Sequence, residues 1–488
     1  MSRKVARNAL WNVAGTLASL AVGLVALPVL LHALGAARLG IFTLALGLIG
    51  FSGLLDLGLG RALTQTVSSA LGSGRPRAAV AALVWHVLRL LVGFGLLWVL
   101  LLWWMVPLVV QHLFKLQGGL AGETIVGLRA VALSMPFALV ATGAMGALEG
   151  LQEFRRVSTQ RAALSVVQFG LPALVALWRP DVGWVIAALA SSRVLSAVVW
   201  VRGLRRVLPR LPGDRHQRED LHHLLHFGGW LSVSNLIGPL MDYADRFYLA
   251  SVFPPAGVAH YTVPYDSATK LTALPRTALN AVFPALAQAQ TKPGEAERLL
   301  RTATMATVAL VLPPILIAAI FAKPLLDLWL GSAFAATSIP IFELLLQGIF
   351  INACAYLPFI LLQAHARSDM TAKLHVLEFP LFIVLLVLAV HTYGLLGAAL
   401  AWSLRVTVDA VLLYWAASRL LIEQRGSLVT AAALLVTGSV GLAAATYSED
   451  AMLKTVIALS LLLGCAGIAT RLLWQWWRPN AAALEKKP

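Results

Sequence analysis

Apolar runs long enough to cross a lipid bilayer recur along this 488-residue chain and leave few folds open to it. A helix needs about 20 predominantly apolar residues to traverse a hydrocarbon core of about 30 Å. Runs of that kind lie near residues 9–31, 41–63, 84–110, 124–148, 160–177, 182–201, 228–252, 258–287, 303–322, 338–363, 374–391, 394–417, 427–446 and 452–472. Backbone N–H and C=O groups find no water in the bilayer core, so a spanning segment must be a helix or part of a closed barrel. A barrel would show alternating segments of about ten residues, and none are present. The composition agrees: 59% hydrophobic and 12% charged residues, with mean hydropathy +0.80, exclude an ordinary soluble enzyme. The expected fold class is an all-α polytopic membrane protein of about fourteen transmembrane helices. Kinks are expected at Pro28, Pro136, Pro172, Pro275, Pro284 and Pro358. Cys354 and Cys465, far apart within apolar spans, read as packing residues.

The basic residues test this count. With the N-terminus inside, 25 Lys and Arg fall in cytoplasmic segments, whereas the opposite side holds only Arg38, Lys115, Arg179, Lys323 and Lys454. That bias places both termini in the cytoplasm. It also explains the net charge of +16 through attraction to anionic lipid headgroups, with no need for nucleic acid as a partner. The apolar run after Met1-Ser2-Arg3-Lys4 leads directly into another span and reads as an uncleaved first helix.

A repeat is superimposed on the spans. Trp11 to Phe42 passes through the turn Leu34–Gly40, and 219 residues later Trp230 to Tyr261 passes through the turn Phe253–Ala259. Duplicated halves in so apolar a chain point to a transporter with its cargo site between them. The expected organisation is an N-terminal six-helix lobe (1–201), a cytoplasmic linker (202–227), a C-terminal six-helix lobe (228–418), and two additional helices with a tail (419–488). No Gly-Lys pair exists to build a P-loop, and no His-Glu-x-x-His or paired-Cys motif appears, so neither ATP hydrolysis nor a metal or other cofactor is implied.

Ionisable groups inside spans are costly and mark function by default. Arg405 and Asp409, four apart, read as a structural pair, and Glu149 and Glu378 as exposed or snorkelling groups near cytoplasmic helix ends. The segment Met241-Asp242-Tyr243-Ala244-Asp245-Arg246 resists such readings. Asp242 and Arg246 share a face, which leaves Asp245 for another partner. The next span carries Asp266 and Lys270, four apart, and Arg276 with no nearby carboxylate. Several cations in two adjacent spans imply a hydrated cationic cavity. In the first half, Asp56 and Arg61 flank two glycines at the end of span two, Arg89 lies in span three, and Arg193 in span six has no nameable partner. The positions of Arg246 and Lys270 correspond to Leu27 and Phe51 of the first copy, so the anion site is expected mainly in the second half.

Leu39-Gly40-Ile41-Phe42 with Leu55-Asp56-Leu57-Gly58-Leu59-Gly60-Arg61-Ala62-Leu63, Asp245-Arg246 leading to Tyr261, and Ala278-Leu279-Asn280-Ala281-Val282-Phe283-Pro284-Ala285-Leu286 resemble Wzx-type polysaccharide flippases. These share a superfamily with multidrug extrusion transporters and lipid II flippases. The resemblance implies two lobes that alternate in access around a central cavity, and no enzymatic activity. The implied cargo is an undecaprenyl-pyrophosphate-linked oligosaccharide moved to the outer leaflet of a bacterial inner membrane. Membrane lipids and a polysaccharide polymerase complex are the other partners. Arg61, Arg89, Arg246, Lys270 and Arg276 would then bind the headgroup, while Asp56, Asp242, Asp245 and Asp266 would position cations or couple ions. A lipid II flippase, a multidrug antiporter, a membrane polymerase and a non-transporting scaffold remain as alternatives.

Overall fold

The structure is a computed structural model that describes residues 3–50, 59–72, 74–208, 240–241, 243–272, 275–276, 279, 294–365, 367–421 and 425–484. Asp56, Asp242, Trp230, Pro284 and most of the expected linker 202–227 lie outside these residues. The side chain of Arg61 does too. We number the helices α1 (Arg3–Gly50), α2 (Leu59–Gly72), α3 (Arg77–Leu108), α4 (Gly118–Gly150), α5 (Phe154–Trp178), α6 (Val182–Val207), α7 (243–252), α8 (Pro255–Thr269), α9 (Glu295–Ile320), α10 (Ala322–Leu330), α11 (Ser332–Ala364), α12 (Ser368–Leu420), α13 (Arg425–Tyr447) and α14 (Ala451–Leu484). The chain is all-α, and among the described residues ten helices are long and apolar enough to cross a membrane by length and composition. Two compact units emerge, Met1–Thr262 and Val263–Pro488, with the boundary inside α8.

The two turns described inside long helices fall at glycines. Pro28, Pro136, Pro172 and Pro358 all lie inside continuous helices, where each removes only one backbone hydrogen bond. Non-helical backbone interrupts α1 at Gly35 (φ 76°, ψ 167°) and α12 at Gly394 (φ 61°, ψ −136°). Positive φ is open to glycine at little cost, so one residue turns each long helix back. Gly35 therefore executes the turn expected at Leu34–Gly40, and Gly394 separates the spans near 374–391 and 394–417.

Small residues set the packing in the first unit. Gly146 and Gly150, one turn apart on α4, receive α2 so closely that Thr64 donates to the Gly146 carbonyl at 2.9 Å and Ser68 to that of Gly150 at 3.2 Å. This close approach of backbones takes the place of the hydrophobic drive that lipid cannot supply between helices. At the other end of α4, Glu123 accepts both Nε (2.8 Å) and Nη2 (2.7 Å) of Arg38 and the backbone N–H of Val182 (3.2 Å). One carboxylate thus ties α1, α4 and α6 together. Asp181 caps α6 by accepting from Gly183 and Trp184.

In the second unit, α11 packs closely on α12 and α13. Gly348 lies against Trp402 and Ser403, whose hydroxyl donates to the Leu344 carbonyl at 3.0 Å. Gly438 of α13 makes room for Phe350, and Gln347 donates to the Ser439 carbonyl at 2.7 Å.

Candidate functional site

The two copies of the repeat meet in the first unit. Thr43 and Thr262, equivalent under the 219-residue offset, share a buried hydrogen bond of 2.8 Å between their hydroxyls. A Cβ on Gly40 would overlap the Pro255 carbonyl oxygen and come within 3.3 Å of Ala259 N, and Ala259 is the equivalent of Gly40. Equivalent residues of the two copies thus touch each other, and the missing side chain of Gly40 lets the backbones approach there.

Around this crossing the copies diverge chemically. Phe42 and its equivalent Tyr261 are both fully buried, and the extra hydroxyl of Tyr261 donates to Asp245 Oδ2. Asp245 Oδ1 accepts the backbone N–H of Arg246 at 2.7 Å. The first copy has Ala26 where the second has Asp245. Asp245, expected to find a partner other than Arg246's side chain, finds Tyr261.

Arg246 is 5% exposed, and its guanidinium lies 4.9 Å from the centre of the Tyr243 ring. Both side chains pack toward the second half of α1. A Cβ on Gly47 would lie 3.3 Å from the Tyr243 ring and 4.0 Å from Arg246 Nη1, while one on Gly50 would overlap the Tyr243 hydroxyl. Arg193 of α6 is within electrostatic reach of Tyr243, and its buried Nε has no hydrogen-bond partner. Arg193, with no nameable partner in the sequence, thus lies within electrostatic reach of Tyr243, and Tyr243, Gly47 and Gly50 are additions to the candidate site residues. The glycine pair three apart in a bulky span was the available signal.

The other candidates are placed separately. Arg89 is exposed on α3 and donates from Nε to the Trp85 carbonyl of its own helix at 3.2 Å. In the second unit, Asp266 is half-buried near the end of α8, and the exposed Lys270 begins a 3₁₀ turn, Lys270–Thr272. Arg276 is exposed, donates to Asn352 Oδ1 at 3.1 Å, and lies 5.4 Å from the Tyr356 ring centre. Its partner is a neutral amide, in keeping with the lack of a carboxylate nearby in sequence.

Two expectations on α12 change. Glu378, read as a group near a helix end, is 3% exposed. Asp409 is not engaged with Arg405 but faces His375 across the Gly394 turn, at 3.5 Å from Nε2. Arg405 instead lies over the rings of Phe382 (5.4 Å) and Trp402 (6.0 Å). An i, i+4 spacing permits a pair, but the fold-back of α12 offers Asp409 a competing partner.

Comparison with known proteins completes the description. A family model described as "Polysaccharide biosynthesis protein" matches residues 30–339. A curated protein of Shigella flexneri named "Putative O-antigen transporter" is 30% identical over 416 residues, 85% of this chain and 98% of that protein. Among solved structures, the lipid II flippase MurJ in an inward closed conformation matches with TM-score 0.72 at 12% identity, covering 95% of this chain and 99% of that one. An inward-facing multidrug resistance MATE family transporter of the MOP superfamily matches with TM-score 0.66 at 16% identity, covering 87% and 98%. The all-α fold, its multiple apolar spans and the match over most of its length make this chain a multi-pass membrane protein of the polysaccharide biosynthesis protein family, with the fold that the MOP superfamily structures share.

Proposed function

We propose that this protein moves an undecaprenyl-pyrophosphate-linked oligosaccharide from the cytoplasmic to the outer leaflet of the bacterial inner membrane by alternating access through a cationic cavity. Both termini lie in the cytoplasm in this reading. Lobes 1–201 and 228–418 carry the movement, joined by the linker 202–227, and residues 419–488 form an appended hairpin and tail. The observation that carries the proposal is the burial of Arg246 against Tyr243 and Gly47. A guanidinium held out of water favours an anion with several acceptor oxygens, and a pyrophosphate supplies them. Lys270 and Arg276 extend the headgroup site, and Arg61 and Arg89 attract the cargo at the inner mouth. Asp56, Asp242, Asp245 and Asp266 position these cations or carry the coupling ion. A polysaccharide polymerase complex receives the product.

Reconstitution tests this directly. Proteoliposomes holding the full-length protein should flip a pyrophosphate-linked sugar lipid, and Arg246→Ala should slow flipping by about 10- to 100-fold, the worth of a charge-assisted hydrogen bond of about 1.5–3 kcal/mol. Flipping of lipid II alone, export of organic cations alone, or unchanged flipping by correctly inserted Arg246→Ala would each refute the proposal.

A further inference from the structure

The hairpin of α12 brings together three titratable side chains outside the site described above. His375 and Glu378 lie on its first limb and Asp409 on its second, and one nitrogen or oxygen from each falls within 4.8 Å of the others. Burial deepens across the cluster. The His375 side chain is 26% exposed, that of Asp409 is 11%, and Glu378 as a residue is 3%. Phe359 of the packed helix α11 stacks on the His375 ring at 6.2 Å. The charges acting on Glu378 are those of Asp409, His375 and Arg405, all on α12.

Both oxygens of Glu378 and Oδ1 of Asp409 are buried without any hydrogen-bond donor. His375 Nε2, at 3.5 Å from Asp409 Oδ1, is at the limit of a useful hydrogen bond. Arg405 is turned onto its two aromatic rings, and its own Nε has no partner. Two carboxylates side by side in a buried place cannot both ionise cheaply, and a carboxylate accepts but never donates. A single proton on one of them removes the repulsion and supplies the missing donor.

We propose that His375, Glu378 and Asp409 form a proton-binding site in which Glu378 holds a proton that it donates to Asp409, with His375 as the route to water. A proton bound at His375 Nε2 passes to Asp409 Oδ1. Asp409 passes one from its carboxyl to Glu378, and only N–H and O–H bonds form and break. Occupied, the site ties the two limbs of α12 together; emptied, it leaves two adjacent carboxylates that push them apart.

The test uses the purified full-length protein in lipid nanodiscs and needs no cargo, so its outcome is separate from that of the flipping assay. Infrared difference spectra at neutral pH should show the carbonyl band of a protonated carboxylic acid, shifted by 13C-glutamate labelling and by D2O, and absent from Glu378→Gln. Asp409→Asn should move that band by changing its hydrogen bond, which provides a second reading if Glu378→Gln does not fold. Absence of a glutamate-sensitive acid band in the wild type, its persistence in Glu378→Gln, or its indifference to Asp409→Asn overturns the proposal. So does stoichiometric binding of added Zn2+ or Mn2+ that is lost in both variants, since the cluster would then be a metal site.

Discussion

Replacing Tyr261 by Phe removes one hydroxyl and nothing else, and the first copy of the repeat already supplies the control. Phe42 occupies the equivalent position, fully buried, so a phenyl ring packs there without a cavity. The hydroxyl that is lost is the one that donates to the fully buried Asp245. A hydrogen bond to a charged group contributes about 1.5–3 kcal/mol, and a buried acceptor left without its donor costs more than a neutral one. We expect Tyr261→Phe to destabilise the protein by about 2 kcal/mol, roughly 30-fold in the folding equilibrium. The variant Asp245→Ala also deprives the Arg246 backbone N–H of its acceptor. That loss is the same with Tyr or Phe at 261, so it cancels in a double-mutant cycle. Tyr261→Phe/Asp245→Ala, which restores the residue types of the first copy, should thus be more stable than the sum of the single effects by about 1–3 kcal/mol. Reversible unfolding in mixed micelles measures all four corners. A Tyr261→Phe effect within about 0.5 kcal/mol of zero, or strict additivity, would show that this pair does not hold the second copy in place.

Three further outcomes follow from the geometry. Gly50→Ala sets a methyl group against the Tyr243 hydroxyl and should cost about 1–3 kcal/mol; Gly23→Ala, which meets open space, should not destabilise, and equal effects of the two in the same assay would refute the close packing. Glu123→Gln weakens the paired hydrogen bonds from Arg38, a partly exposed contact that should contribute about 1 kcal/mol or less and fade in high salt, as unfolding at two ionic strengths will check. Gly394→Ala forces a side chain into positive-φ backbone and should cost about 1–3 kcal/mol; a stable variant with unchanged proteolysis near the turn would argue against the sharp reversal.

Much of the fold could be read in advance because the bilayer allows so few solutions. Apolar run length located the helices, including the pair 160–201, which separates where Arg179, Pro180 and Asp181 interrupt it. The repeat was legible too, and the 219-residue offset returns as the Thr43–Thr262 hydrogen bond. The prolines sit within helices without ending them, while a glycine at positive φ marks each of the two turns inside α1 and α12. The charges were least legible. Asp409 and Arg405 satisfy a local pairing rule, yet Asp409 turns to His375 on the other limb of α12. Glu378 lies where sequence position suggests exposure, and packing closes over it.

By itself the sequence determined the class, the duplication and the second copy's excess of cations. These follow from hydrophobic length and from local periodicity, which act along the chain. Only the tertiary structure decided which side chains meet. It set Tyr261 on Asp245, turned Tyr243 and Arg246 into the space left by Gly47 and Gly50, and closed His375, Glu378 and Asp409 into one cluster. Such contacts join residues far apart in sequence or on opposite limbs of a turn. Their energies depend on distance, burial and donor count in three dimensions, quantities that a spacing along one helix does not contain.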